Sequence, residues 1–416
     1  MAQIDLEQAA GPASTTQKER PWLFGLLVAP SAVVANGIVQ GALSYLFRRQ
    51  GISIDRSSEI ISLLILPTTI YFLWSPITDF WITRRAWLIA GAVTAGLAMA
   101  AAFQSPRLDT GTAVRLMFLS ACLCQLVVAS CGGMMGTLHS EASRRKASSF
   151  YQAGSLAFGA IAIFFMASLA QRISMASLGW VAAALIALPA FGALATPKQV
   201  REQGRELSHT FSTIWHEVKL TFFRWRALPY TLLMLFPMGS GAAIGLLPGI
   251  AQDYQVGAQQ MAWMNGLGGA FLTATGSLAA TLIPTRISAS VAYLSVCLIN
   301  EVTLLILWLC PASPATYFIG STLYLFTIGT CYAMFTAVVL EFMGHSGKSG
   351  SGRYSIINSL GNVPVVYMTT VDGHGAKLWG ARGLAGTDAV VGAIGGTLLL
   401  AYFLTRKNKD TPQLAG

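Results

Sequence analysis

Charge is what this sequence has least of: of 416 residues, only 11% are Asp, Glu, Lys or Arg. A water-soluble domain carries about 25%. This chain cannot clothe a soluble exterior, and a soluble enzyme of its length is excluded. Acidic residues number 17 and histidines 5, scattered along the chain, which argues against the clustered His, Asp and Glu of a membrane-embedded enzyme. The six cysteines, Cys122, Cys124, Cys131, Cys297, Cys310 and Cys331, all lie in apolar stretches. Cys122 and Cys124 point to nearly opposite sides of a helix and cannot share a metal, so the set reads as packing residues. A phosphate-cradling loop is missing too. Gly350-Ser351-Gly352 lacks the Gly-Lys-Ser/Thr ending and a preceding strand, and reads as a flexible loop. His209 and His216 stand seven apart without Cys partners or a His-Glu-x-x-His pattern, so neither a metal nor a cofactor is expected.

What the chain has in abundance is apolar surface: 54% of residues are hydrophobic and mean hydropathy is +0.58. An exterior of that kind faces lipid. A helix needs about 20 apolar residues to cross the hydrocarbon core. The runs that qualify are 22–47, 57–77, 86–104, 112–137, 148–170 and 174–195, then 229–250, 260–282, 289–310, 315–340, 354–376 and 387–405. That predicts about twelve crossings and an all-α integral membrane protein with both termini on one side. The expected organisation is a tail (1–21), a six-helix bundle (22–195), a polar central loop (196–228), a second six-helix bundle (229–405) and a tail (406–416). The run from Trp22 is too long for a signal-peptide core, so no cleaved leader is expected.

The net charge of +10 invites a nucleic-acid reading, but the basic residues sit in short loops between apolar runs. There they report topology. Of the 27 Lys and Arg residues, 19 fall on the side of the termini and central loop. That side is predicted to be cytoplasmic, giving a multi-pass protein of the cytoplasmic (inner) membrane. The two halves echo each other at an offset of about 200 residues, as duplicated bundles do. Pro30, Gly37 and Gly41 in the first span correspond to Pro237, Gly245 and Gly249 in the seventh. The fourth span ends at Glu141 with Tyr151 following, and the tenth at Glu341 with Arg353 and Tyr354 following.

The most specific string is Phe72-Leu73-Trp74-Ser75-Pro76-Ile77-Thr78-Asp79, which closes the second span. It resembles the FLWSP-x-x-D signature of the peptide/acetyl-coenzyme A/drug transporter family within the major facilitator superfamily. That family includes muropeptide permeases, siderophore permeases and acetyl-coenzyme A carriers. Glu141, Gly154, Gly159 and Gly179-Trp180 support the resemblance. Two features depart from the family: Tyr71 and Phe80 stand where members often carry basic residues, and two spans typical of muropeptide permeases have no room here. The resemblance implies the major facilitator fold, two pseudo-symmetric six-helix bundles around a central cavity. It implies a monomeric secondary transporter taking up a small organic solute, siderophore-like or peptidoglycan-derived, with protons as the coupling ion. A drug or metabolite exporter of the same fold is the alternative, and a transporter-like receptor without flux another.

By the same resemblance, the first, second, fourth and fifth helices of each half line the cavity. The polar side chains there are the substrate-binding candidates: Asn36, Gln40, Tyr45, Gln125, Gln152, Asn265, Tyr324, Asn358 and Asn362. Asn36 with Gln40, and Asn358 with Asn362, are spaced i, i+4 and share a helix face. Each of these residues could equally glue helices together by hydrogen bonds. Glu301 is read as the one carboxylate set deep in a span, and so as the proton-coupling candidate; a protonated packing residue is the alternative. A cytoplasmic gate is expected from Trp74, Pro76, Asp79, Arg84, Arg85, Glu141, Arg144, Glu341 and Arg353, whose charges cluster at helix ends on the tail side. An ordinary charged loop would also place charges there.

Overall fold

The computed structural model describes residues 19–196, 212, 216, 219, 228–343 and 356–406, apart from 75, 76, 79, 139, 140, 285 and 358. The central loop, Gly350-Ser351-Gly352 and both tails therefore lie almost wholly outside the described residues. The first half consists of α1 (Leu23–Arg49), α2 (Ile54–Thr69), α3 (Arg84–Phe103), α4 (Gly111–Gly136), α5 (Glu141–Leu169) and α6 (Met175–Ala195). The second consists of α7 (Leu228–Leu235), α8 (Ala242–Ile250), α9 (258–279), α10 (Ala289–Leu309) and α11 (Pro314–Met343). It closes with one long helical stretch, Val363–Arg406, that is broken at Trp379 and Gly380 into α12 (363–378) and α13 (381–406). Among the described residues, eight helices are long and apolar enough to cross a membrane.

Local chemistry sets the helix starts. Thr83, Thr110 and Ser174 are extended residues whose hydroxyls accept from Ala86, Ala113 and Ser177 N–H, satisfying donors that the first turn of α3, α4 and α6 leaves free. Within the first half α3 packs on α4 and α6, and α1 packs on α5. Small residues permit that last approach, because a Cβ on Gly154 would overlap the backbone of Gly25. In lipid such close van der Waals contact replaces the hydrophobic effect as the force between helices. In the second half α10 packs on α11 and on the α12–α13 pair, and α9 packs on α11. The halves meet where α2 runs along α12, α1 along α8, and α5 along α9.

The structure departs from the sequence-based expectation in three places. The run 229–250 is not one helix: α7 ends at Leu235 and α8 starts at Ala242. Between them Gly239 and Gly241 hold positive φ angles of 57° and 77°, which an L side chain adopts only with strain. Second, α2 stops at Thr69, just past Pro67, and a single 3₁₀ turn (Tyr71–Leu73) follows, so Phe72, Leu73 and Trp74 lie beyond the helix rather than ending it. Third, Glu141 does not close the fourth helix but opens α5. A polar residue between two apolar runs can cap either one, and sequence alone does not say which.

Candidate functional site

We call the side on which α1 begins and α13 ends the tail side, and the opposite one the far side. On the far side two ion pairs join the halves. Arg48, at the end of α1, reaches Asp253 just after α8 at 3.2 Å, and Lys377 at the end of α12 reaches Asp55 in the first turn of α2 at 3.1 Å. Asp55 precedes the apolar span. A hydrogen bond from the Ser53 side chain, aided by Lys377, holds its carboxyl below the usual carboxylate range. Deeper along the same α2–α12 seam, the Ser62 hydroxyl donates to the Val366 carbonyl at 2.5 Å. Further toward the tail side, the Asn362 amide donates to the Thr68 carbonyl at 3.3 Å. Glycines let α1 and α8 approach equally closely: Gly245 faces the backbone of Gln40, and Gly249 faces Ser44. The molecule is therefore closed on its far side. The sequence signalled those four charged residues only as loop charges, because nothing in it links residues about 200 and 320 positions apart.

Beneath this closure a small cavity is lined by Val39 and Gln40 of α1, Leu64 and Thr68 of α2, and Cys124 and Gln125 of α4. Gln40 and Gln125, two of the solute-binding candidates, thus both line it. Gln125 is buried, and its amide donates to the Ala121 carbonyl at 3.5 Å. The other candidates are placed differently. Asn36 donates to Ser155 on α5 at 3.1 Å, and Asn265 to the Tyr317 hydroxyl on α11 at 2.7 Å. Buried Tyr45 accepts from Gln171 at 3.4 Å. All three bond within one half, the first two joining helices and Tyr45 meeting the turn after α5. Asn362 bridges the halves, Gln152 is exposed, and Asn358 lies outside the described residues. Tyr324 is buried at 1% exposure, and its hydroxyl has no partner among the described residues.

Asn36 and Gln40 share a backbone feature that the sequence did not announce. They stand in a π-helical stretch of α1 (Val33–Ala42), and Asn265 stands in another, Trp263–Gly268 within α9. Wide turns of this kind break the regular i→i−4 ladder and occur preferentially at functional sites. Both lie where the halves face each other.

The expected tail-side gate is only partly described. Pro76, Asp79 and Arg353 lie outside the described residues, Glu141 and Arg144 open α5, and Glu341 falls in the last turn of α11. Trp74 follows the 3₁₀ turn with its indole N–H buried. The Arg84 guanidinium donates to the Gly133 carbonyl of α4 at 2.7 Å, and Arg85 follows it in the first turn of α3.

Glu301 sits deep in α10 with 2% exposure, as the sequence predicts. It is not the lone buried carboxylate, however. Asp372 of α12 is fully buried and Asp388 of α13 is 3% exposed. Both positions lie inside the apolar runs 354–376 and 387–405, so the sequence carries the same signal for them as for Glu301. The broken α7–α8 segment gathers two of these acids. The Gly239 N–H donates to Glu301 Oε1 at 3.2 Å, and the Ala243 N–H in the first turn of α8 donates to Asp388. A helix that starts inside the membrane leaves donors unsatisfied, and a buried carboxylate is a strong acceptor for them.

A family model described as the Major Facilitator Superfamily matches residues 26–366. The crystal structure of a D-xylose-proton symporter superimposes with a TM-score of 0.69 at 13% identity, covering 91% of this chain and 95% of that one. A variant of the nucleoside transporter NupG superimposes with a TM-score of 0.68, also at 13% identity, covering 92% and 98% respectively. No curated protein matches the sequence. At such low identity the likeness to solved structures establishes the fold, and the family model carries the kinship. Spanning both halves of an all-helical membrane protein, it shows that the chain belongs to the Major Facilitator Superfamily.

Proposed function

We propose that this protein is a secondary transporter that moves a small organic solute across the cytoplasmic membrane by alternating access, working as a monomer. In this reading the chain crosses the bilayer twelve times, and both tails and the central loop are cytoplasmic. The far side is then the outer side, and the seam described above is its closed gate. The observation that carries the reading is the pair of far-side ion bridges over a cavity walled by Gln40 and Gln125. Bridges at separate loop ends can break without unfolding either half, as rocking of one bundle against the other requires. Uncharged amides around a cavity suit a neutral or amphipathic solute better than a bare ion.

The resemblance of the Phe72–Asp79 string to the peptide/acetyl-coenzyme A/drug transporter family makes a siderophore-like or peptidoglycan-derived molecule the favoured solute. Inward transport is coupled to protons, with Glu301 as a proton-carrying group. The test is flux into proteoliposomes holding the purified protein, using a panel of labelled siderophores, muropeptides, sugars and nucleosides under an imposed pH gradient. Accumulation of one class, abolished by a protonophore, supports the reading. Equal retention by protein-free and protein-containing vesicles across the whole panel overturns it.

A further inference from the structure

The three buried acids of the second half come from three different helices, α10, α12 and α13. Each of Glu301, Asp372 and Asp388 lies within reach of the others' charge. Their hydrogen bonding is incomplete. Glu301 Oε2 and both oxygens of Asp372 have no partner among the described residues. Ionised carboxylate oxygens buried in this way are costly, and protonation relieves much of that cost.

A second, independent observation points to the same place. The Tyr324 hydroxyl, on α11, is buried without a partner, and it lies within electrostatic reach of Asp388, Glu301 and Asp372. A phenol left dry and unpaired beside three carboxylates is aimed at whatever occupies them. Among the described residues, neighbouring ionisable groups supply no counter-cation. Cys297 on α10, with Cys331 and Tyr332 on α11, are neutral groups facing the same region. On the α2 side Asp55 is matched by Lys377, and Glu59 by Arg56. His374 is exposed and bonded to Thr370, and Arg382 lies beside Tyr254 rather than Asp388. From α8 come only backbone donors.

We propose that Glu301, Asp372 and Asp388, together with the Tyr324 hydroxyl, form one shared proton site that grips the hinge between α7 and α8. Three dry negative charges repel strongly, and one helix N-terminus offsets only about half an elementary charge. Protons take up the remainder, one O–H donor replacing each missing partner. Among the described residues no three His, Cys, Asp or Glu side chains form a group that could hold a metal ion, and the species proposed for this site is the proton. Occupancy reports outward through the hinge. Glu301 and Asp388 hold Gly239 and Ala243, and α8 is the helix that presses Gly245 and Gly249 on the first half. Changing the charge on the acids changes their grip on the one element that both carries the hinge and forms the seam. The inference deepens the proton-coupled reading by extending the proton-carrying group from Glu301 to three acids and a phenol.

The test needs no solute and no transport. Infrared pH-difference spectra are recorded for the full chain in phosphatidylcholine vesicles, for the wild type, Glu301→Gln, Asp372→Asn, Asp388→Asn and Tyr324→Phe. The wild type should show protonated-carboxyl stretches near neutral pH. Each acid variant should remove one contribution and shift the titration of those left. Tyr324→Phe, which keeps all three acids and nearly all the volume, should move the stretches by loss of a hydrogen bond. Absence of protonated carboxyls in the wild type overturns the proposal. So does a set of variants whose remaining bands stay unmoved, since the acids would then titrate alone. If an acid variant does not fold, the wild-type and Tyr324→Phe spectra still decide. Failure here with intact flux leaves the transport reading standing, while coupled bands without flux for any solute sink only that reading.

Discussion

Neutralising the far-side bridges should open that side of the molecule, and the size of the effect follows from the geometry. Lys377 is 61% exposed in its pair with Asp55, and Arg48 and Asp253 are 29% and 36% exposed in theirs. Exposed pairs of this kind are screened by water and are worth about 0.2–1 kcal/mol each. If both pairs break on opening, their joint contribution to closure is about 0.4–2 kcal/mol, a factor of roughly 2–30 in the ratio of the two states. Asp55→Asn with Asp253→Asn should produce that shift, and each single change a smaller one. The assay is labelling of a cysteine placed at Gln40, behind the closure, by an impermeant thiol reagent added from the far side. High salt should weaken closure in the wild type and leave the double variant unaffected. Acid should act likewise, with a definite sign. The Asp55 carboxyl is held below the usual carboxylate range, so its bridge is intact above that range and is lost as pH falls through it. Exchanging the charges, Asp55→Lys with Lys377→Asp, should restore closure. Unchanged labelling in the double variant at low salt would refute the reasoning, leaving the bridges as incidental surface pairs.

Four further outcomes are expected. Reporter fusions or cysteine labelling should place both tails and residues 197–228 in the cytoplasm, and an outside central loop would overturn the arrangement. Glu301→Gln should abolish uphill accumulation in a pH gradient while sparing solute exchange, and undiminished accumulation would return Glu301 to packing. Asp79→Asn should lower flux by about tenfold or more and favour the state open to the tail side, through loss of about 1–3 kcal/mol of coupling; wild-type flux would make Asp79 a topological charge only. Gly154→Val should force α5 away from the Gly25 backbone and destabilise the first half by about 1–3 kcal/mol, read as a lowered melting temperature in detergent.

Apolar run length made most of the helices legible, because crossing lipid imposes a length and a composition that few other demands imitate. It missed the break between α7 and α8. The residues there, Phe236 to Gly241, are uncharged like their flanks, and run length does not register that Gly239 and Gly241 turn left-handed. Polar residues on lining helices pick out Gln40 and Gln125, which line the small cavity, and Asn362, which bridges the halves. The same rule also picked Asn36 and Asn265, which bond within one half, since a helix face tells which residues point inward but not what they meet. Asp372 and Asp388 were available to the rule that selected Glu301. The partnership of Arg48 with Asp253 was not, because only the folded chain brings the end of α1 to the end of α8.

Alternation itself is the central claim, and paired distances at both ends of the molecule test it most directly. One pair of spin labels replaces Arg49 and Gln255 on the far side, and a second replaces Trp81 and Leu282 on the tail side, all four being exposed positions. Pulsed electron resonance in lipid should give two distances for each pair. Neutralising Asp55 and Asp253 should populate the longer far-side distance and the shorter tail-side distance together. A single fixed distance at both ends, unmoved by that change, would contradict alternating access.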